Sequence, residues 1–457
     1  MNRRDLVKQG ACVMAGIAIS PNGIAHSAQS QTFESPLSLT GGRYITHVSV
    51  VSVDGIEVTR NKWIGGDVSS SNGPESVRAR SAAFCAGDPN GRMTWSLSWG
   101  ALNDQRPEYR DVRRLLADYH HKYGDEVTFF VGGYFSPMYD TRANVNRDIK
   151  DALKLISAMV GDNYRSESVI AGFMAAENQR YLAEEEGIHV CQGQIWSQHD
   201  IDHGDGDGGI SYPYYPSREH YLKPAQDASD FIDCVCLDGW TCDFLAARHN
   251  GVGPGYNSRM GVGPIETVNN LGRVRGRKEM LDTTACHFDM GFKLNGFGWV
   301  TAIWELSLPT NLNSDLAYWI QECKRQWPET RCVTEGEFGL CWREKYADNS
   351  KLNYRFVARG TGAPGSDPNE EIRWFMNRDF RLALLRNWRD NGPSYVIDFT
   401  RYDLAAREPR DLRRDWSLMS VINQKGTRRQ DKPLRISQLS SEDQHRILRR
   451  YPEVSGS

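Results

Sequence analysis

What the chain lacks narrows the field before any motif is read. Beyond the N-terminal segment no stretch stays apolar over the roughly 18 residues a membrane span needs, so no spanning helix is expected. Neither sign of charge dominates: 55 Lys and Arg against 58 Asp and Glu leave a formal net charge of −3. That balance gives no electrostatic ground for nucleic acid or an anionic membrane as partner. Ten cysteines are present, but no second cysteine pair matches zinc spacing. Cys234 and Cys236 alternate with Val235 as a buried strand would. Internal repeats and low-complexity tracts are absent.

The N-terminus carries an address. Arg3-Arg4 is followed by Leu6, Val7 and Lys8, then by a moderately apolar run to Ile19. Ala25-His26-Ser27 offers a small-residue cleavage site. Residues 1–30 therefore read as a twin-arginine signal, and the mature protein is expected in the periplasm or outside the cell. Cys12 lies near the start of the apolar run, where a lipid-attachment cysteine would not sit.

The remaining length suits one large domain with a smaller appendage. Eight strand-like runs follow one another: Tyr44–Val53, Arg92–Trp99, Glu126–Gly133, Val169–Ala176, His189–Trp196, Phe231–Trp240, Phe297–Leu306 and Arg331–Phe338. Helical stripes separate most of them, including Val112, Leu115, Leu116 and Tyr119, and Val145, Ile149, Leu153, Ile156 and Val160. Such alternation implies an α/β fold with a parallel sheet, either a (β/α)8 barrel or a distorted seven-stranded one, over 40–345. Residues 346–457 read as a C-terminal covering domain, with Phe380–Trp388 as a helix and SYVIDFTRYDL as a strand.

Candidate chemistry clusters at the C-terminal ends of these runs, where a parallel α/β barrel carries its site. Glu177 closes the fourth run and Glu305 the seventh. Retaining glycosidases need two carboxyl groups about 5 Å apart across the scissile bond, one protonated and one ionised. Glu177 is then the acid/base and Glu305 the nucleophile. Glu335 and Glu337 compete for the second role, since residues two apart in a strand share a face and close like charges raise one pKa. Asp238 is a further candidate. Trp196, Trp240, Trp304 and Tyr134 offer faces for sugar rings, and His199, Asp200 and Asp202 begin a glycine-rich loop suited to substrate contact. No cofactor is needed for that chemistry. His199 and His203, with Asp205 and Asp207, leave a divalent metal open, although the loop lacks the position-twelve carboxylate of a twelve-residue calcium loop.

Long stretches resemble an exported bacterial family of unestablished activity: GDEVTFFVGGYFSPMY, AAENQRYLAEEEGIHVCQGQIWSQ, DGDGGISYPYYPSREHYLKPAQ, NSRMGVGPIET and GEFGLCW. More loosely, the organisation is similar to the barrels of glycoside hydrolases and polysaccharide deacetylases. His199 and His203 match the His-x-x-x-His spacing that deacetylases use for metal, while their adjacent aspartates at an earlier strand end are missing. The resemblance implies a secreted carbohydrate-active enzyme acting on an oligo- or polysaccharide. A glycoside hydrolase is the leading reading; a metal-dependent hydrolase or deacetylase and a non-catalytic glycan-binding barrel are the alternatives.

Overall fold

The computed structural model describes residues 37–60, 62–132, 135–195, 208–249, 259–306, 310–390, 392–413, 416–418 and 433–455. Strand β1 (Arg43–Val51) lies at the centre of a five-stranded parallel sheet. Strands β2 (Asp54–Thr59) and β3 (Lys62–Asp67) form an antiparallel hairpin directly after it, an element the sequence reading did not contain. The other members of the parallel sheet are β4 (Thr94–Leu97), β5 (Glu126–Phe129), β9 (Gly298–Glu305) and β10 (Thr330–Val333). β9 runs along the length of β1, whereas β10 pairs with its first half and β4 with its second.

A second parallel sheet holds β6 (Val169–Ile170), β7 (Val190–Gln194) and β8 (Val235–Asp238). The two sheets are joined at both edges. Val131 N–H donates to Ile170 O at 2.8 Å, while Thr241 N–H donates to Thr301 O and Ile303 N–H to Gly239 O. The eight runs read from the sequence thus all contain strands, in a mixed α/β arrangement.

The helices follow their local signals. Helix α1 (Pro74–Gly87) and α2 (Pro107–Tyr123) both begin with Pro in the first turn, where its missing N–H costs nothing. Gly124 ends α2 at φ +77, a left-handed conformation that glycine adopts without strain. Helix α3 (Arg142–Val160) is capped by Thr141, whose side chain accepts from Asn144 N–H. Helix α4 (Ala176–Tyr181) follows β6. The single helix expected near Glu266–Met280 is two, α5 (Pro264–Leu271) and α6 (Arg273–Ala285), because Gly272 at φ +73 breaks it. Helix α7 (Asn313–Gln326) and α8 (Glu335–Lys345) flank β10.

Two expectations are corrected here. The eighth run stops being a strand at Val333, because Thr334 and Glu337 form a capping box that starts α8. Glu335 and Glu337 therefore occupy a first helical turn and do not share a strand face. Residues Phe380–Trp388 are not helical. Leu, Ala and Arg favour helix locally, but Phe380–Asn387 is β13 of an antiparallel sheet, between β12 (Glu370–Asn377) and β14 (Tyr395–Arg401), with β11 (Asn353–Arg359) outermost. Burial on both faces decides it. On one face Leu382, Leu384 and Phe399 pack with Ile447 and Tyr451, on and just beyond helix α9 (Ser441–Arg450).

On the other face Arg381 pairs with Asp398 at 2.7 Å, both side chains being 0% exposed. Arg381 Nη1 also donates to Gly209 O at 2.9 Å, so the ion pair ties this sheet to the connection between β7 and β8. Removing one partner of a buried pair strands the other. Asp398→Ala should lower unfolding stability by about 3–5 kcal/mol in urea titration; a loss below about 1 kcal/mol would mean that the pair behaves as a surface one.

Candidate active site

Strand alternation sorts the residues of β9. Thr301 faces Glu335, donating its hydroxyl to Oε1 at 2.9 Å, and Glu305 shares that side four residues further on. By strand rise Thr301 and Glu305 are roughly 13 Å apart along β9. Glu305 is partly exposed at the C-terminal end of the strand, followed by Leu306. Trp304 faces the other way and is 1% exposed. His47 meets its ring edge-on at 5.1 Å and the Arg80 guanidinium lies 4.9 Å from its centroid. Its faces are filled by protein. Arg80, also buried, donates to Asn313 Oδ1 and Ser49 Oγ, and the Glu305 carboxylate is close enough to favour its charge. Burial, then Arg80, holds His47 neutral.

Asp238 ends β8 and accepts from Trp240 N–H at 3.2 Å; it is 1% exposed. Trp240 is 5% exposed, and its Nε1 donates to Arg259 O. Glu335 is wholly buried. Burial pushes its carboxyl up to about 8 against the Thr46 and Thr301 hydroxyls, with the Glu126 and Asp238 charges adding to the rise. Glu337 caps α8 and pairs with Arg92 at 2.9 Å.

Glu177 lies in the first turn of α4, not at a strand end, since β6 closes at Ile170. Its side chain is 52% exposed and its carboxylate sits 4.0 Å from Arg142 Nε. Arg142 also binds Glu408, at 3.2 Å, so one guanidinium spans both acids. They line a rim cleft of about 910 Å³ with Arg218, Glu219 and Arg410. Glu408 accepts from Ala176 N–H and Tyr221 N–H, which fastens the cleft's far wall to α4; burial raises it to about 7.

Of the acids expected to act, Glu177 and Glu305 reach solvent at the C-terminal side of the strands. Asp238 and Glu335 are buried, and Glu337 is engaged at a helix cap. Tyr134, Trp196, His199, Asp200, Asp202 and His203 lie outside the described residues. Among the described residues no group of three or more His, Cys, Asp or Glu could hold a metal ion. Arg80, Arg142 and Glu408 escaped sequence reasoning. Each sits in a helix or irregular segment with no motif, and only folding brings it to the site.

Two family models match the chain: a domain of unknown function, DUF3863, over residues 37–376, and a second, DUF3864, over 381–454. The chain belongs to the DUF3863 family. A solved structure from Parabacteroides distasonis, provisionally named a glycoside hydrolase/deacetylase, is 48% identical, with a TM-score of 0.87 over 92% of this chain and 100% of that one. A provisionally named polysaccharide deacetylase from Pseudomonas aeruginosa PAO1 gives 12% identity and a TM-score of 0.40 over 66% of this chain and 92% of its own. A GH57-type branching enzyme from Pyrococcus horikoshii gives 9% and 0.39 over 71% and 75%. No curated protein matches this DUF3863 chain.

The buried acid of this DUF3863 member sets a pH dependence. Glu335 moves from an ordinary 4.5 to about 8, so the folded state holds its proton more tightly. The stability it contributes is complete below pH 4.5 and is lost as pH rises to about 8. Glu335→Gln can keep the Thr301 hydrogen bond without that loss. Urea unfolding at pH 5 and pH 8 should therefore show wild type falling against the variant by a few kcal/mol; parallel stabilities at both pH values would refute the shift.

Proposed function

We propose that this DUF3863 protein is an exported carbohydrate-active enzyme, a glycoside hydrolase working where the parallel strands end. In this reading the two sheets wrap into one distorted barrel. Glu177 and Glu305 are the paired carboxyl groups, acting on an oligo- or polysaccharide. One observation carries the assignment: Glu177 and Glu305 reach solvent toward the strand ends, whereas Asp238 and Glu335 are buried and Glu337 is held by its helix cap and Arg92. The 48% identical relative, provisionally named a glycoside hydrolase/deacetylase, supports the substrate class.

The roles follow from the environments. Glu305 has the buried Arg80 guanidinium behind it, a fixed positive charge beside the place a nucleophile or base would occupy. Glu177 sits in a cleft wide enough for several sugar units, where Arg142 can orient it toward a glycosidic oxygen. A carboxyl group transferring a proton in the transition state contributes roughly 10²–10⁴-fold.

The second name of that relative favours another reading, a metal-dependent deacetylase built on His199 and His203. The two separate cleanly on a glycan that wild type processes. Glu177→Gln and Glu305→Gln should each lower kcat about a hundredfold or more with folding intact. Full turnover by both variants, together with a stoichiometric transition metal lost on His199→Ala, would replace the hydrolase with the deacetylase.

A further inference from the structure

Glu177 projects from a turn whose backbone is fixed on both sides, although its own side chain is half exposed. After it, Asn178 is buried and donates through Nδ2 to Arg142 O at 2.9 Å and to Asn146 Oδ1 at 2.6 Å. Before it, Ala176 opens α4 behind Ala175, whose side chain offers no cap. The first N–H groups of a helix need acceptors from elsewhere. Glu408 Oε1 supplies one, 2.7 Å from Ala176 N, and takes the Tyr221 N–H at 2.9 Å as well. Glu408 lies in the second matched domain and Glu177 in the first.

The same carboxyl group sets Arg142. Arg142 Nη2 donates to Glu408 Oε2 at 3.2 Å and to Pro409 O at 2.7 Å, and the Trp416 ring lies 5.4 Å from the guanidinium. These contacts leave Arg142 Nε facing the Glu177 carboxyl group at 4.0 Å, near enough to steer it but beyond a hydrogen bond. Glu177 is therefore free to turn toward a substrate without first breaking a bidentate pair. A neutral amide could accept the two N–H groups, so they alone do not call for a buried charge. The bond to Arg142, ionic on both sides, does.

We propose that Glu408 is the positioning residue of Glu177, so that the segment after β14 completes the rim built by the parallel strands. This rests on the glycoside hydrolase reading above. In that reaction the proton of Glu177 passes to the glycosidic oxygen, which keeps the electron pair of its broken bond to the sugar carbon. The Glu305 carboxylate bonds that carbon. Glu408 touches none of these atoms; it holds the turn that carries the donor and the guanidinium that steers it.

Dinitrophenyl and phenyl glycosides of the sugar that wild type releases test this on the full chain. Dinitrophenolate leaves as a stable anion with little help from an acid, whereas phenolate needs a proton. Glu408→Gln can keep both N–H contacts while losing the charge that holds Arg142. It should lower kcat/KM for the phenyl glycoside about tenfold more than for the dinitrophenyl one, a part of the roughly 10²–10⁴-fold that a positioned acid supplies. Glu177→Gln should show the same selectivity more strongly. Both rates come from one preparation, so partial unfolding lowers them alike and does not mimic the result. Equal losses on the two substrates in Glu408→Gln, beside a selective loss in Glu177→Gln, would overturn the positioning role and leave the hydrolase reading standing. Equal losses in Glu177→Gln would overturn that reading and this inference with it.

Discussion

Two buried carboxyl groups, Glu126 and Glu335, tie the parallel strands to the helix that follows them. Glu126 at the start of β5 accepts from Thr94 on β4, from Ser168 beside β6 and from Gly336 N–H in the first turn of α8. Glu335 accepts from Thr301 on β9, while its own N–H donates to Thr94 Oγ1. Desolvation raises both acids, and the surrounding hydroxyl and amide donors oppose that rise. Replacing such a network piecemeal strands donors in a dry interior. It ties β4, β5, β9 and the segment before β6 to the first turn of α8.

The upper end of the same strands is held differently. Arg80, wedged between Ser49, Asn313 and the Trp304 ring, braces β9 below Glu305. Arg381 reaches from the antiparallel sheet to Gly209, and Glu408 reaches from the segment after β14 to Ala176 and Tyr221. The C-terminal residues therefore build part of the rim. Each anchor is a buried charge with its partners, which fixes geometry more than it adds stability.

Much of the parallel architecture was legible because its strands are fully buried and rich in β-branched residues, and because Pro74, Pro107 and Gly124 punctuate the helices. The strand ending at Glu305 was readable for that reason. Three features were not. The capping box at Thr334 follows a strand without a break in hydrophobicity, so Glu335 and Glu337 read as strand residues. Phe380–Asn387 is made of helix-forming residues, and only burial on both faces makes it a strand. Glu177 closes an apolar run of which two residues pair, so the run's length concealed a loop and a helix start. The tryptophans were expected to meet sugar, yet Trp304 and Trp240 spend their faces on His47, Arg80 and the Gly263 turn. Sequence reveals which side chains could stack, but their neighbours come from distant segments.

The assignment of Glu177 and Glu305 as one reacting pair is the central claim. A crystal structure of the protein with an oligosaccharide trapped on a Glu305→Gln chain tests it most directly. The account predicts a glycosidic oxygen within hydrogen-bonding reach of Glu177 and the adjoining sugar carbon facing residue 305. A saccharide seated away from both residues would contradict it.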